Sequence, residues 1–392
     1  MALALATAPA LAKTISVVPG GADANEKLQE ALIVAEPGDV VELGAGTWHL
    51  TDGLSLDVAG VTLRGTGIGD GGSILDFTGQ QGAGEGLLVT SDDVLLTNFA
   101  VVNSKGDGIK SKGADRIVYH KLRVEWTAGP QATNGAYGIY PVESSDVLID
   151  SVYVRGASDA GIYVGQSKNI VVRDSIATEN VAGIEIENSY DADVHDNIAT
   201  KNTGGILVFD LPSLPMQGGH NVRVFDNAVV DNNTPNFAPK GNIVASVPTG
   251  TGVLVMANRH VEIFDNGFDE NGTANVMIVG YRYEHKDAQY QPLPRQIVVR
   301  DNSHGKAGYA PAFEGGAEIA AALGGAIPPV LWDGAGEEVV VLDPVGVLSL
   351  NLPDVATPRS EAKPSPADLS KGTPPAALPG ITLPEAMEAK IQ

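Results

Sequence analysis

A 22-residue repeat is the feature of this chain that most restricts its fold. Residues 161–164 (GIYV), 183–186 (GIEI) and 205–208 (GILV) open alike, and their first glycines are 22 residues apart. Each period holds short runs rich in Ile and Val that are broken by Gly, Asn and Asp, which leaves no room for a helix. A fixed period of this length is typical of stacked supersecondary units. The repeat therefore predicts a solenoid in which each period forms one coil of a parallel β-helix.

The charge balance restricts the partners of the protein. The 392 residues include 48 acidic and 25 basic side chains, which gives a net charge of −23, and there is no cysteine. Repulsion from phosphate groups disfavours binding to nucleic acid or to an anionic membrane. We therefore expect no nucleic-acid partner and no membrane span.

The first residues have the composition of a secretory signal. Residues 1–12 are almost entirely apolar and end in Ala10-Leu11-Ala12 ahead of Lys13, which is the A-x-A pattern of a cleavage site. The run is too short to span a bilayer. We expect residues 1–12 to be the remnant of a signal peptide that is cleaved on export, which places the mature protein in the periplasm or outside the cell.

Composition divides the rest of the chain into three parts. Residues 23–35 have apolar residues at helical spacing, which predicts a short helix that caps the first coil. We assign the β-helix with this cap to residues 13–310 and a C-terminal cap to residues 311–355. Residues 356–392 are rich in Pro and Ala and lack periodicity, which predicts an extended, flexible tail.

A family resemblance rests on residues 37–50 (PGDVVELGAGTWHL), 54–67 (LSLDVAGVTLRGTG) and 73–77 (SILDF). They resemble the first coils of the pectin-lyase-like, right-handed parallel β-helix superfamily, which includes polysaccharide lyases, polygalacturonases and alginate C5-epimerases. The resemblance covers residues 40–302. It implies an all-β fold, a single right-handed parallel β-helix of about ten coils, and a polysaccharide or oligosaccharide as the bound partner.

A second resemblance rests on the tandem repeats of residues 167–209. They are similar to those of an uncharacterised family of exported bacterial parallel β-helix repeat proteins. That resemblance implies a second exported, haem-binding cytochrome-like protein as an assembly partner, with the C-terminal tail as a tether.

The corners of the coils repeat as well as the strands. Asp-Asn or Asp-Ser pairs end the second strand of successive coils, and amides recur at the next corner at Asn180, Asn202, Asn232 and Asn271. Because a buried amide must be hydrogen-bonded, these residues predict ladders that stack coil on coil. Calcium (Ca2+) bound along the Asp ladder is the alternative interpretation.

Alternation within the strands predicts two outward-facing columns of side chains, because in Gly-Ile-x-Val the branched residues point inward. The first column contains Lys110, Tyr140, Tyr163, Glu185, Leu207, Leu254 and Met277, and the second contains Lys112, Val142, Gly165, Glu187, Phe209, Met256 and Val279. The C-terminal half of both columns is apolar. We expect the inserted loops at residues 209–219, 234–251 and 281–295 to cover that half and to leave the polar half as an open groove.

One motif in this groove bears on catalysis. Residues 137–143 (YGIYPVE) are similar to the catalytic YG-x-D-P-H-[DE] motif of alginate epimerases, but Tyr140 and Val142 occupy the acidic and histidine positions. Epimerisation and β-elimination both need a base that abstracts the proton next to a carboxylate and an acid on the other side. The epimerase mechanism therefore cannot be carried over, and we predict Lys110, Tyr137 and Tyr140 as the catalytic residues.

Substrate binding in the same groove is predicted for Lys105, Lys112, Glu143, Tyr163 and Glu185. The lysines would neutralise a uronate carboxylate, and the tyrosines would stack on sugar rings. The alternatives are a solvated lysine patch and a tyrosine pair that only stabilises the sheet.

Hydrolysis and metal chemistry are not favoured by the sequence. A glycosidase needs two facing carboxyl groups about 5–9.5 Å apart. The clustered aspartates typical of polygalacturonases are not visible, and Asp107 and Asp159 lie just before their strands. The seven histidines show no metal-ligand spacing, so neither a metal site nor a cofactor is predicted.

Two functions are compatible with the sequence. The first is an exported carbohydrate-active protein that uses lyase- or epimerase-like proton abstraction at a uronate-type sugar. The second is a non-catalytic periplasmic binding or scaffold module that docks a second exported protein.

Overall fold

The computed structural model describes residues 12–21, 23–82 and 84–392, and within them the chain winds into a parallel β-helix. Successive coils add strands to the same sheet in parallel, as Ala160 pairs with Ala182 and Ala182 with Gly204. The 22-residue repeat is therefore the length of one coil, and the predicted all-β parallel solenoid is confirmed.

One sheet of the described chain has twelve strands, and it carries the two outward columns. Its last strand, Ser365–Ala367, pairs antiparallel with the preceding one, and the others are parallel. The others are Leu54–Leu56, Leu87–Val89, Ile109–Lys112, Tyr137–Val142, Ala160–Gly165, Ala182–Glu187, Gly204–Phe209, Thr251–Met256, Ala274–Val279, Val330–Trp332 and Val347–Ser349.

A second sheet of the described chain has twenty strands and wraps around the remaining sides of the solenoid. Two long strands, Leu95–Val102 and Ile117–Glu125, connect its parts. The others are Thr14–Val17, Val40–Leu43, Gly46–His49, Thr62–Arg64, Ser73–Asp76, Ser145–Asp150, Tyr153–Arg155, Lys168–Arg173, Ile176–Thr178, Tyr190–His195, Ile198–Thr200, His220–Phe225, Ala228–Val230, Arg259–Phe264, Gly267–Asp269, Arg295–Arg300, Ser303–His304 and Glu337–Val341.

The core of the solenoid is built from the branched residues of the repeat. Ile162, Ile184 and Ile206 are stacked in register and are 0% exposed. They belong to one apolar cluster that runs from Ala24 to Val347. Burial of aliphatic surface contributes about 25 cal/mol per Å², so this continuous stack holds the coils together and gives the twelve-stranded sheet a rigid base.

The predicted amide ladders are present at the corners of the coils. Each amide oxygen of one ladder accepts from the amide of the preceding coil, with distances of 3.1 Å from Asn180 to Asn202 and 3.0 Å from Asn202 to Asn232. Asn271 continues this ladder, and a parallel one joins Asn197, Asn227, Asn266 and Asn302. The structural interpretation of these residues is confirmed, and calcium along the Asp ladder stays a prediction.

A helix covers the N-terminal end of the solenoid, as the sequence predicts. Ala24–Val34 buries Leu28, Ala31 and Leu32 against the first coils. A second helix, Gly316–Ala322, precedes the strands at Val330–Trp332 and Val347–Ser349, and its Ala320 packs with the outward-facing cluster that contains Leu207.

The C-terminal tail differs from the prediction. Residues 365–367 of the tail add an antiparallel strand to the twelve-stranded sheet, and residues 381–391 lie along the twenty-stranded sheet, where Leu383 and Met387 are buried against Leu95, Val118, Leu148 and Val171. A short helix, Glu385–Ala389, ends this segment, and the Glu388 carboxylate pairs with Arg173 at 2.7 Å. The prediction of a free flexible tail is wrong because these outward apolar residues and Arg173 offer it a docking surface, and that surface is not evident from the composition of the tail.

The signal-peptide prediction concerns residues 1–12, and residues 1–11 lie outside the described residues. In the described ranges, no helix combines the length and the apolar character needed to cross a membrane.

Candidate functional site

The two outward columns have the predicted registers in the twelve-stranded sheet. In the first column Tyr140 pairs with Lys110, and Glu185 pairs with both Tyr163 and Leu207. In the second column Gly165 pairs with both Val142 and Glu187. The repeat period fixes which side chains meet, and this part of the prediction is confirmed.

The exposure of these columns differs from the prediction. Tyr163 and Glu185 are only 3% and 1% exposed. Residues from three loops join an apolar cluster with Tyr163 and Leu207, and these loops are 209–219, 234–250 and 281–295. The loops therefore cover part of the polar half as well as the apolar half. The prediction that Tyr163 and Glu185 line an open substrate groove is wrong.

Three tyrosines form a compact cluster at the border of the covered region. The ring centroid of Tyr137 is 4.5 Å from that of Tyr140 and 4.5 Å from that of Tyr163. The centroids of Tyr140 and Tyr163 are 4.9 Å apart. A Cβ at Gly165 would lie 2.3 Å from the Tyr163 ring, so the glycine makes room for it. The Tyr163 hydroxyl donates to Glu187 at 2.6 Å. Tyr163 therefore positions a carboxyl group rather than offering a face to a sugar.

Lys110 is held by carboxylates. Its Nζ lies 3.2 Å from a Glu85 oxygen, 3.8 Å from an Asp107 oxygen and 4.8 Å from the centroid of the Tyr140 ring. The Lys110 ammonium group is therefore already paired with protein carboxylates, and a substrate carboxylate would have to compete with them.

The other predicted binding residues lie near the rim. Lys112 Nζ is 3.8 Å from a Glu143 oxygen, and both side chains are exposed. Lys105 Nζ donates to the Gln81 carbonyl at 3.4 Å. Exposed contacts of this kind contribute little to the free energy of folding. The structure therefore brings Lys110, Tyr137 and Tyr140 together, and it places Lys105, Lys112 and Glu143 at the surface beside them.

Two carboxyl groups for which the sequence analysis predicted no role line a cavity in this region. Asp159 and Glu187 line a cavity of about 370 Å³ together with Tyr137 and Asn242. The Asn242 amide donates to Asp159 at 3.0 Å. We call this space the acidic cavity; its walls are completed by Ala136, Leu211, Pro212, Leu214, Ile243 and Tyr281.

Burial changes the acidity of these carboxyl groups. Desolvation and the charge of Glu187 raise the pKa of Asp159 to about 7. Desolvation raises the pKa of Glu187 to about 7, although the hydrogen bond from Tyr163 opposes the change. Desolvation also raises the pKa of Asp107 to about 6 against the opposing charge of Lys110. Near neutral pH, each of these groups is therefore partly protonated.

Glu185 is buried on the strand that also carries Glu187. Neither carboxyl oxygen has a hydrogen bond within the described part of the chain. Burial, and then the charges of Glu187 and Asp159, raise the pKa of Glu185 well above its usual range. Because an isolated buried carboxylate is very costly, Glu185 is protonated in the native state at neutral pH.

This cluster gives a prediction about stability. The native state keeps protons on Glu185, Asp159 and Glu187 that the unfolded chain loses above about pH 4. The free energy of unfolding therefore falls as the pH rises from about 4 to about 7, by about 1.4 kcal/mol per unit of pKa difference for each group. We expect Glu185→Gln to unfold at a higher temperature than the wild type at pH 8.5 and at a similar temperature at pH 5.

Thermal unfolding at the two pH values measures this difference. Glu314→Gln is the matched control, because Glu314 is exposed and the same change there should leave the pH dependence of the wild type intact. Equal pH dependence in Glu185→Gln and in the wild type would contradict the proposed protonation of Glu185.

Proton transfer is the chemistry that this arrangement supports. Two carboxyl groups whose pKa values lie near 7 face one cavity, where one can donate a proton while the other accepts one.

The sequence signal for Asp159 was its position just before a strand. For Glu187 it was a place in the second column. In the described residues, no group of three or more His, Asp or Glu side chains is arranged to hold a metal ion.

Comparison with known proteins agrees with this fold. The family model described as right handed beta helix region matches residues 59–214. No protein in the curated set matches the sequence.

Solved structures resemble the chain over most of its length. The A-module of a mannuronan C-5 epimerase from Azotobacter vinelandii is 14% identical, with a TM-score of 0.53, 83% of this chain covered and 90% of that chain. A mutant DFA-IIIase from Arthrobacter chlorophenolicus is 15% identical, with a TM-score of 0.51 and coverages of 84% and 94%. A GH136 lacto-N-biosidase from Eubacterium ramulus is 14% identical, with a TM-score of 0.50 and coverages of 74% and 60%. The chain is therefore a right-handed parallel β-helix.

Proposed function

We propose that this protein modifies a neutral carbohydrate chain by cleaving a glycosidic bond at the acidic cavity. The observation that carries the proposal is the pair Asp159 and Glu187, whose carboxyl groups line one cavity and have pKa values raised to about 7. Glycosidases use two carboxyl groups, one as acid and the other as base or nucleophile. Three solved structures of the same fold, named above as an epimerase, a DFA-IIIase and a lacto-N-biosidase, support a carbohydrate as the ligand.

Electrostatics favours a neutral sugar over a uronate. Asp159, Glu187 and Asp107 lie close enough to affect each other's ionisation, so a further carboxylate from the substrate would be repelled. Lys110 is neutralised by Glu85 and Asp107. The net charge of −23 adds to the repulsion of a polyanion.

The neighbours of the pair give each carboxyl a fixed position. Tyr163 donates to Glu187, and Asn242 donates to Asp159. These donors stabilise a carboxylate, whereas burial favours the neutral acid. The balance keeps the pair near its midpoint at neutral pH, which is the condition under which one site can supply both an acid and a base.

The second candidate is proton abstraction at a uronate, as in lyases and epimerases. The observation that favours it is the contact of Lys110, Tyr140 and Tyr137, which places a cation beside two phenols. In that reaction Tyr137 or Tyr140 would act as the acid and Lys110 would bind the carboxylate. Burial raises the pKa of Tyr140 to about 12, which suits a proton donor and not a base.

A substrate panel separates these candidates. We expect the purified protein to release new reducing ends from a neutral polysaccharide, such as a xylan, mannan, glucan or fructan, without new absorbance from unsaturated sugars. New absorbance near the unsaturated-sugar band, obtained with alginate or pectate and lost in Lys110→Ala, would show that the reaction is β-elimination and not hydrolysis. Binding without any turnover across both panels would favour the non-catalytic scaffold function.

We also propose that the protein is exported and acts in the periplasm or outside the cell. The A-x-A pattern at residues 10–12 supports this proposal. Cell fractionation tests it, and accumulation of the processed protein in the cytoplasm would count against export. A cytochrome-like partner stays a proposal that co-purification with the full chain tests.

A further inference from the structure

Three cavities follow one another along the outer face of the twelve-stranded sheet. The acidic cavity shares Asn242, Ile243 and Tyr281 with a second cavity of about 540 Å³, which we call the aromatic cavity. The aromatic cavity shares Ser246 and Tyr283 with a third space. The three cavities therefore adjoin one another, and we call this row of cavities the groove.

The aromatic cavity is suited to sugar rings. Tyr281 and Tyr283 line it, with ring centroids 5.4 Å apart and planes tilted by 65°. The Tyr283 residue is 43% exposed although it is large and aromatic. The opposite wall, residues 241–246, belongs to the inserted loop and includes the short helix Ile243–Ser246. An exposed aromatic face beside a polar wall can bind a ring that has apolar faces and hydroxyl edges.

The third space is small, and its lining is mainly apolar. It has a volume of about 40 Å³, and we call it the apolar pit. The apolar side chains around it are those of Phe209, Pro248, Leu254, Met256, Met277, Val279, Phe313, Leu331 and Leu350. An enclosed apolar space of this size holds no strongly bound water and suits a group of a few carbon atoms.

Two arginines lie at the edge of the apolar pit, and they differ in how many hydrogen bonds their guanidinium groups make. Arg282 is fully engaged, because it donates to Asp333 at 2.9 Å and to the carbonyls of Asp354 and Thr357. Arg359 also lines the pit, but its guanidinium has no hydrogen bond or ion pair to any residue that the structure describes. One charged donor at the edge of an apolar pit is therefore available to an acceptor of the ligand.

We propose that this groove binds a neutral glycan that carries a small acyl substituent, such as an acetyl group. The sugar chain runs from the acidic cavity across Tyr281 and Tyr283, the acyl methyl enters the apolar pit, and the acyl carbonyl accepts from Arg359. This inference rests on the proposed function for the position of the bond that is cleaved, and it adds the class of substrate.

Binding to matched probes tests the substituent. O-Acetylated fragments of xylan and of glucomannan are titrated by calorimetry against the full chain that carries Glu187→Gln, before and after removal of their acetyl groups with alkali. We expect the acetylated form of at least one probe to bind at least about 10-fold more tightly, because a missing carbon in a fitted pocket costs roughly that factor. Equal affinity of the two forms, or no binding of any form, would overturn the proposal.

Two variants locate the effect. Leu254→Phe fills the apolar pit and should abolish the preference for acetyl without loss of binding to the deacetylated probe. Arg359→Met should reduce the preference, and Lys363→Met is the matched control at a nearby exposed cation. A preference that survives both Leu254→Phe and Arg359→Met would contradict this site. If Glu187→Gln shows the acetyl preference but the wild type cleaves no fragment, the binding site stands and the proposed hydrolysis fails. Cleavage by the wild type without an acetyl preference in Glu187→Gln gives the reverse result.

Discussion

Replacing Glu187 by Gln or Asp159 by Asn is expected to reduce turnover of the glycan by about 10²- to 10⁴-fold, the usual contribution of a positioned acid or base. Each amide keeps the shape of the acid and an oxygen that can accept from Tyr163 or Asn242. Neither amide can exchange a proton, so the chemical step is lost while the fold is kept. Steady-state kinetics measure the fall in kcat, and KM should change little.

The pH profile gives a second readout of the same pair. Because the pKa values of Asp159 and Glu187 are both raised to about 7, kcat/KM should have a bell-shaped dependence on pH with its maximum near neutrality. The acid limb reflects loss of the base and the alkaline limb loss of the acid. In Glu187→Gln or Asp159→Asn one limb should disappear from the residual activity.

Asp107→Asn is the matched control for this prediction. Asp107 has a raised pKa of about 6 but does not line the acidic cavity. Its amide variant should retain turnover within a few-fold of the wild type. If Lys110→Ala abolishes activity while Glu187→Gln and Asp159→Asn retain it, the site lies at Lys110 and the assignment to the carboxyl pair is wrong.

Sequence reasoning was successful where the period of the coil decides the structure. A repeat of 22 residues sets which side chains stack, so the column from Lys110 to Met277 and the ladder through Asn202 follow from counting. The exposure of those columns does not follow from counting. It depends on how the loops at 209–219, 234–250 and 281–295 fold back, and these loops have no period of their own.

The epimerase-like motif shows the same division at the level of single residues. Tyr137 lies at the cavity as the motif suggests, but the carboxyl groups beside it come from other coils, as Asp159 and Glu187. A linear motif that lacks its Asp and His therefore suggests a lost site. The three-dimensional neighbourhood supplies acidic groups across the strands, and Gly165 admits the Tyr163 ring that positions one of them.

The tail shows how surface complementarity escapes composition. Pro- and Ala-rich segments are expected to stay solvated because they bury little apolar surface. Here Leu383 and Met387 are the few apolar residues that matter, and they meet an outward apolar row that includes Val118 and Leu148. Neither half of this contact is recognisable without the other.

Replacing Asn202 by Leu is expected to destabilise the protein by about 2–6 kcal/mol, which is the cost of leaving two buried polar groups unsatisfied at about 1–3 kcal/mol each. Asn202 is 0% exposed, its oxygen accepts from the Asn180 backbone N–H at 3.0 Å, and its amide donates to the Ala177 carbonyl at 2.9 Å. Leucine has a similar size but satisfies neither group, and the loss lies in the middle of the solenoid, where each coil is supported only by its neighbours.

Chemical denaturation measures the difference in the free energy of unfolding, with Thr200→Val on the same coil as the control. Thr200 pairs with Val230 on the outside of the sheet, so this substitution should change stability by less than about 1 kcal/mol. A midpoint for Asn202→Leu equal to that of the control would show that the ladder contributes packing alone.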